Sequence, residues 1–89
     1  MNLAFLERKG TIRLILAFFN KNPQRFRDLK KTLPREATLS IRIRDLEELK
    51  LIESFPVKEG RRKYFAYKLT NKGEQIAKQI KNLESLTKE

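Results

Sequence analysis

The spacing of apolar residues between Phe26 and Leu69 changes from helical to strand-like, and this change constrains the fold more than any other feature. The first part repeats apolar residues at intervals of four, three and three, namely Leu39, Ile43, Leu46 and Leu49. Such intervals are typical of the buried face of an α-helix, so we predict a helix over about residues 36–50. Alternation farther along the chain predicts a hairpin of two strands, about Glu53–Lys58 and Lys63–Leu69.

Three further helices are predicted around this unit. A short helix over Phe26–Thr32 comes first, and Pro34 separates it from the next because the residue before a proline is disfavoured in the helical region. An N-terminal helix covers residues 3–19 with a possible break at Gly10, and a last helix covers about residues 71–86. Because 89 residues leave room for one small core, we predict a single domain over 1–89 of class α+β, mostly α.

The first and last helices carry more apolar surface than one small core can cover. In the first helix, a stripe predicted to face the core consists of Ile12, Ile15, Leu16 and Phe19. A helix that is also apolar on its other side indicates burial against a partner. We therefore predict a homodimer formed by residues 1–20 and 71–87, with an interface of Leu3, Leu6, Leu14, Phe18, Ile76, Ile80, Leu83 and Leu86.

The charge of the chain indicates a polyanionic partner. Twenty-one Lys and Arg against 11 Asp and Glu give a net charge of +10. Residues 21–44 hold eight basic and two acidic side chains, a net of +6, and residues 58–68 hold five basic and one acidic, a net of +4. This clustering favours nucleic acid first and an anionic membrane second.

The residue inventory excludes several classes of site. The chain has no Cys and no His, so it has no structural zinc, iron–sulfur or thiol redox site and no Cys or His nucleophile. We expect no enzymatic activity, no metal, no cofactor and no small-molecule ligand. No apolar run reaches the ~20 residues of a membrane span, and the N-terminus lacks a signal-peptide pattern. We therefore expect a cytoplasmic, nucleoid-associated protein.

Several short motifs occur in a fixed order along the chain. They are Ile15-Leu16, Arg25-Phe26-Arg27-Asp28-Leu29, Thr38-Leu39-Ser40-Ile41-Arg42-Ile43-Arg44-Asp45-Leu46-Glu47, Leu51-Ile52 and Tyr67-Lys68-Leu69-Thr70-Asn71-Lys72-Gly73. With these motifs, residues 11–80 resemble the winged helix-turn-helix of the HxlR group of transcriptional regulators within the MarR-like superfamily, with MarR and PadR relatives as alternatives. The N-terminal cysteine of some HxlR members is absent, which excludes redox sensing by that route.

The resemblance implies about four helices with a two- or three-stranded β-wing. It also implies a dimeric repressor or activator that binds palindromic double-stranded DNA. In this arrangement the N-terminal half of the 36–50 helix enters the major groove and reaches base edges. The predicted DNA-binding residues of this recognition helix are Arg35, Thr38, Ser40, Ile41, Arg42 and Arg44. For Arg42 and Arg44, an ion pair with Asp45 or Glu48 at helical spacing is the alternative.

Two further basic groups are predicted to hold the DNA backbone. The wing at residues 58–63 is expected to meet phosphate or to enter the minor groove, which attracts Arg when it is narrow. Its residues are Lys58, Arg61, Arg62 and Lys63. The residues before the recognition helix are expected to bind phosphates and set orientation without reading sequence, and they are Arg25, Arg27, Lys30 and Lys31.

Three other binding roles remain compatible with this sequence. A non-specific or architectural DNA-binding protein would use the same fold and charge without choosing a sequence. An RNA-binding role is less favoured because the chain lacks an aromatic or Gly-rich RNA-stacking signature. A protein-interaction winged helix is less favoured because the charge is +10.

Overall fold

Four α-helices and three β-strands follow one another in the order expected for a winged helix-turn-helix, which confirms the predicted fold class. The computed structural model describes residues 2–88. After an N-terminal 3₁₀ helix over Leu3–Glu7, the elements are α1 Thr11–Asn20, β1 Gln24–Arg25, α2 Phe26–Leu29, α3 Glu36–Glu48, β2 Ile52–Glu59, β3 Arg62–Leu69 and α4 Asn71–Thr87.

Gly10 divides the predicted N-terminal helix into two segments. Its φ of 87° is in the left-handed region, which an L side chain rarely adopts, and α1 starts at the next residue. A Cβ at this position would lie 2.7 Å from the methyl groups of Leu33, so the Leu33 side chain would have to shift to admit it. The 3₁₀ segment nevertheless joins the core, because Phe5 is buried.

The side of α1 that faces the core agrees only in part with the prediction. Ile15 is buried and Leu16 is partly buried against the core, as predicted. Leu14 and Phe18, predicted at the dimer interface, are fully buried within a single chain, so they are unavailable to a partner. Ile12 and Phe19, predicted in the core, are 42% and 39% exposed. Both stripes have the same helical spacing, so the sequence pattern alone does not distinguish the inner from the outer one. The break at Gly10 and the packing of α1 on α4 decide between them.

Helix α3 has the predicted inner face. Leu39, Ile43 and Leu46 are buried, as their spacing predicted, and they join α3 to the core. The helix ends two residues earlier than predicted. Lys50 adopts a left-handed φ of 60°, and the Leu51 amide donates to the Leu46 carbonyl over 2.9 Å. This local cap turns the chain from α3 into β2.

The strands form one antiparallel sheet in the order β1-β3-β2. β2 and β3 pair from Ile52↔Leu69 at the base to Glu59↔Arg62 at the tip. Pro56 is on β2, an edge strand, as its missing N–H predicted. Phe65 shares a face with Leu69 but is 62% exposed, because the helices cover only the base of the hairpin.

Thr70 and Gly73 attach α4 to the end of α3. The Thr70 hydroxyl accepts from the Gly73 amide at 3.1 Å and donates to the Lys50 carbonyl at 2.6 Å, so Thr70 is the N-cap of α4. The inner face of α4 continues with Ala77 and Ile80. Ile80 was predicted at the dimer interface, but it is only 9% exposed and belongs to the core of one chain.

Candidate nucleic-acid interface

The outward side of α3 is exposed over most of its N-terminal half. Ile41, although apolar, is 51% exposed, and Ser40 and Arg44 beside it are also exposed. Arg35 is exposed at the N-cap position, whereas Thr38 is half-buried. Because the opposite face is anchored by buried residues, α3 presents this outer surface on a rigid support. The geometry suits a helix that inserts into a groove.

Arg42, one of the predicted recognition residues, makes side-chain contacts within the chain. Its Nε donates to the Lys9 carbonyl at 2.7 Å, and its Nη1 lies 3.3 Å from Asp45 Oδ2. Its side chain is only 18% exposed. The alternative of an ion pair with Asp45 is therefore formed by Arg42 within the chain, and a contact between Arg42 and a base stays a prediction. The helical spacing of the pair indicated this outcome, but the Lys9 carbonyl is 33 residues away in sequence.

The wing tip carries four cations that point into solvent. Lys58, Arg61, Arg62 and Lys63 are all exposed, and none pairs with a carboxylate among residues 2–88. Glu59, the one acidic residue of 58–68, accepts a hydrogen bond of 3.0 Å from the Tyr64 hydroxyl. This hydrogen bond raises the pKa of Tyr64. The tip therefore keeps an excess of uncompensated positive charge.

The basic residues before α3 divide into two groups. Arg27 and Lys31 are exposed and make no ion pair within the described part of the chain. Lys30 lies 3.6 Å from Glu36 across the turn that leads into α3. These three residues remain compatible with the predicted phosphate contacts.

Arg25 was also predicted to contact phosphate, but it packs on the sheet. Its guanidinium lies 5.0 Å from the centre of the Tyr64 ring, and its Nε lies 3.5 Å from Asp28 Oδ2. Its backbone amide donates to the same carboxylate at 3.0 Å, and this hydrogen bond is the main cause of the lowered pKa of Asp28. Arg25 therefore contacts Asp28 of α2 and Tyr64 of the sheet within the chain.

A second exposed surface is apolar and lies on the first and last helical segments. Leu3, Leu83 and Leu86 of the predicted dimer interface are 73%, 63% and 75% exposed. Leu6 and Ile76 are half-buried against the core. The sequence interpretation missed Ile12 and Phe19, whose stripe was assigned to the core. The apolar residues on both sides of α1 indicated that one side would be exposed, but the pattern did not distinguish the exposed side from the buried one.

The described residues show no sign of two other kinds of site. Within residues 2–88, no group of three or more His, Cys, Asp or Glu is placed to hold a metal ion. Over the same range, no helix combines the length and the apolar character needed to cross a membrane.

Comparisons with known proteins agree with the geometry. A family model for the HxlR-like helix-turn-helix matches residues 6–89. The reduced form of the transcriptional regulator YodB from B. subtilis is similar at a TM-score of 0.75 and 23% identity, over 91% of this chain and 79% of that chain. A transcriptional regulator homologue from Pyrococcus horikoshii OT3 has a TM-score of 0.78 at 20% identity, over 97% of this chain and 87% of that chain.

A structure from Porphyromonas gingivalis W83, assigned to the MarR family of transcriptional regulators, has a TM-score of 0.73 at 25% identity, over 91% of this chain and 79% of that chain. No curated protein sequence matches. These structural neighbours are described as transcriptional regulators or a homologue of one. The family model covers nearly the whole chain, so the chain belongs to the HxlR-like helix-turn-helix family of transcriptional regulators.

Proposed function

We propose that this protein is a sequence-specific transcriptional regulator that binds double-stranded DNA as a homodimer. Helix α3 enters the major groove, and the wing tip at residues 58–63 contacts the backbone or the minor groove. The observation that carries the proposal is the exposed outer face of α3 together with a wing tip of four exposed cations that pair with no carboxylate among residues 2–88. Function on chromosomal DNA makes a cytoplasmic, nucleoid-associated location part of the same proposal.

The recognition residues divide by chemistry. Arg35 and Arg44 are free to pair bidentately with guanine, and Ile41 offers an apolar contact to the thymine methyl group. Thr38 lies in the first turn of α3 and is half-buried. It would therefore contact a base edge only where the N-terminus of α3 approaches the groove. Ser40 is better suited to a phosphate oxygen. The phosphate contacts of Arg27, Lys30 and Lys31 would fix the position of α3 without reading sequence.

The dimer is supported by apolar residues that one chain leaves uncovered. Leu3, Leu83 and Leu86 are exposed at the outer ends of the first and last helical segments, and the outer stripe of α1 adds Ile12 and Phe19. An apolar surface of this kind is typical of a protein–protein contact. A two-fold pair of α3 helices would then meet two half-sites on one duplex.

Selection of bound sites from random DNA duplexes tests this proposal directly. We expect an enriched palindrome whose half-sites lie about one helical turn apart, roughly 10–10.5 base pairs or a multiple of it. Binding without any enriched sequence would instead support an architectural protein. Retention of single-stranded RNA in preference to duplex DNA would contradict both DNA roles.

A salt titration tests the wing. Replacing Arg61 and Arg62 by Ala should weaken binding to all DNA sequences and lower the slope of log K against log salt by roughly one unit per lost phosphate contact. The matched control replaces Arg13 and Lys78, two exposed cations on α1 and α4, which removes the same charge from other surfaces. Equal slopes in both double variants would remove the wing from the interface.

A further inference from the structure

Asp45 on α3 joins the recognition helix to the N-terminal segment through two arginines. Arg8 Nη1 lies 2.8 Å from Asp45 Oδ2, and Arg42 Nη1 lies 3.3 Å from the same oxygen. Arg42 Nε also donates to the Lys9 carbonyl at 2.7 Å. Two contacts therefore connect residues 8–9 with one turn of α3, and the Arg42–Asp45 pair within that turn links them. We name the Arg8–Asp45–Arg42 group, with the Lys9 carbonyl, the N-terminal clip.

Two of the three charged side chains of the clip are less exposed to water than those of an ordinary surface ion pair. Isolated exposed pairs contribute little because water competes for both charges. Here the Asp45 and Arg42 side chains are each only 18% exposed, although Arg8 is 53% exposed. One carboxylate oxygen is shared by two guanidinium groups, and a backbone carbonyl fixes the direction of the second. Such a network holds a defined geometry, since a guanidinium is planar and its donors have fixed directions.

The residues on both ends of the clip are themselves held in place. On the N-terminal side, Phe5 is buried in the core, and Gly10 packs against Leu33 in the turn before α3. On the α3 side, Arg42 lies between Ile41 and Ile43, of which the first is exposed and the second buried. A shift of the N-terminal segment would therefore be transmitted to the part of α3 that carries Ile41 and Arg44.

We propose that the N-terminal clip positions the recognition helix, so that Arg8, Arg42 and Asp45 determine DNA sequence discrimination without contacting DNA. This inference rests on the proposed function, because it concerns how α3 reads a site. It assigns a role to Arg8, which lies outside the helix-turn-helix. It also connects α3 with the segment that bears Leu3, one of the residues of the proposed dimer surface.

Binding to the selected site and to random duplex, each measured over a range of salt, tests the clip. Arg8→Ala should lower the ratio of specific to random affinity by roughly 3- to 30-fold, the usual range for residues that couple two parts of a protein. The salt slope should be unchanged, because no phosphate contact is lost. Arg13→Ala is the matched control, since it removes an exposed arginine of α1 that pairs with no carboxylate among residues 2–88.

Two comparisons separate positioning from contact. Arg8→Ala combined with Asp45→Asn should reduce discrimination no further than Asp45→Asn alone, because both changes break the same pair. Arg42→Lys should behave like Arg42→Ala, since lysine keeps the charge but loses the Nε donor to the Lys9 carbonyl. Rescue by lysine together with a normal slope would mark Arg42 as a phosphate contact and overturn its role in the clip.

The outcomes distinguish this inference from the proposed function. If the wild-type chain selects no DNA sequence, the proposed function fails and the inference fails with it. If the wild-type chain selects a site and Arg8→Ala keeps the full ratio of specific to random affinity, only the inference is overturned. Amide exchange measured without DNA gives an independent check, because Arg8→Ala should then speed exchange in the turn of α3 around Arg42.

Discussion

Replacing Gly73 by Ala tests the contact between α4 and the end of α3. Gly73 lies in the first turn of α4, where its backbone packs directly on Leu51. A Cβ at this position would lie 2.9 Å from the Leu51 carbonyl carbon, closer still to its oxygen, and 3.1 Å from a Leu69 methyl group. The backbone of Leu51 cannot rotate away as a side chain would, so α4 itself must shift.

The expected change in the free energy of unfolding combines two destabilising effects and one stabilising effect. Overpacking a core contact destabilises by about 1–3 kcal/mol. A shift of α4 also weakens the hydrogen bonds from Thr70 to the carbonyls of Lys50 and Leu51, each with a net contribution of roughly 1 kcal/mol. Against this, alanine is favoured over glycine inside a helix by about 1 kcal/mol. We expect a net loss of about 3 kcal/mol, a large share of the roughly 4–13 kcal/mol typical for a chain of 89 residues.

Urea unfolding at a fixed protein concentration measures this loss. With a slope of about 1.5 kcal/mol per molar urea, the midpoint should fall by roughly 2 M. Two matched variants isolate the steric effect. Lys72→Ala, at an exposed position of the same turn, should change the midpoint little. Gly60→Ala has no atom within 4 Å of the new Cβ, so it reports only the strain of a residue at φ 61°. An unchanged or raised midpoint for Gly73→Ala would refute the argument, because helix propensity would then outweigh the contact.

Four other substitutions give clear expectations. Lys50→Gly should stabilise the fold by about 1 kcal/mol in the same urea assay, because Lys50 has a left-handed φ of 60° that glycine adopts without strain. Leu83→Lys should halve the molecular mass measured by light scattering while leaving the midpoint for monomer unfolding intact, whereas Leu14→Ala should destabilise each chain by about 2–5 kcal/mol. Asp28 has a lowered pKa in the folded state, so its stabilising contribution is present above about pH 4 and is lost as the pH falls below it. Asp28→Asn should therefore flatten the decrease in stability between pH 5 and pH 2, and an unchanged decrease would contradict this account.

The regular part of the fold could be predicted because each element carries its own periodic pattern. The spacing of Leu39, Ile43 and Leu46 identified the inner face of α3, and Pro56 identified an edge strand. The exposed wing cations could be predicted as well, because a hairpin tip has few neighbours that could cover it. β1 is only two residues long, and no periodic pattern can be read from so short a strand.

The errors occurred where one pattern fits two environments. Helix α1 has apolar residues on two sides, and the spacing is the same whether Phe18 or Phe19 faces inward. Ile80 continues the buried stripe of Gly73 and Ala77, so it packs within the chain and not against a partner. For Arg42, local spacing likewise allows two partners, a base or Asp45, and within the chain Arg42 contacts Asp45 and the Lys9 carbonyl.

The order of helices and strands, the inner face of α3 and the excess of positive charge at the wing can all be predicted from the residues alone. These properties are local, because they depend on residues within a few positions of one another. Three other properties follow from packing between distant segments. They are the side of α1 that is buried, the lack of space for a side chain at Gly73, and the contacts of Arg42 with Asp45 and the Lys9 carbonyl. Each of these depends on atoms brought together from distant parts of the chain, so the physical cause lies in packing that no short stretch of sequence contains.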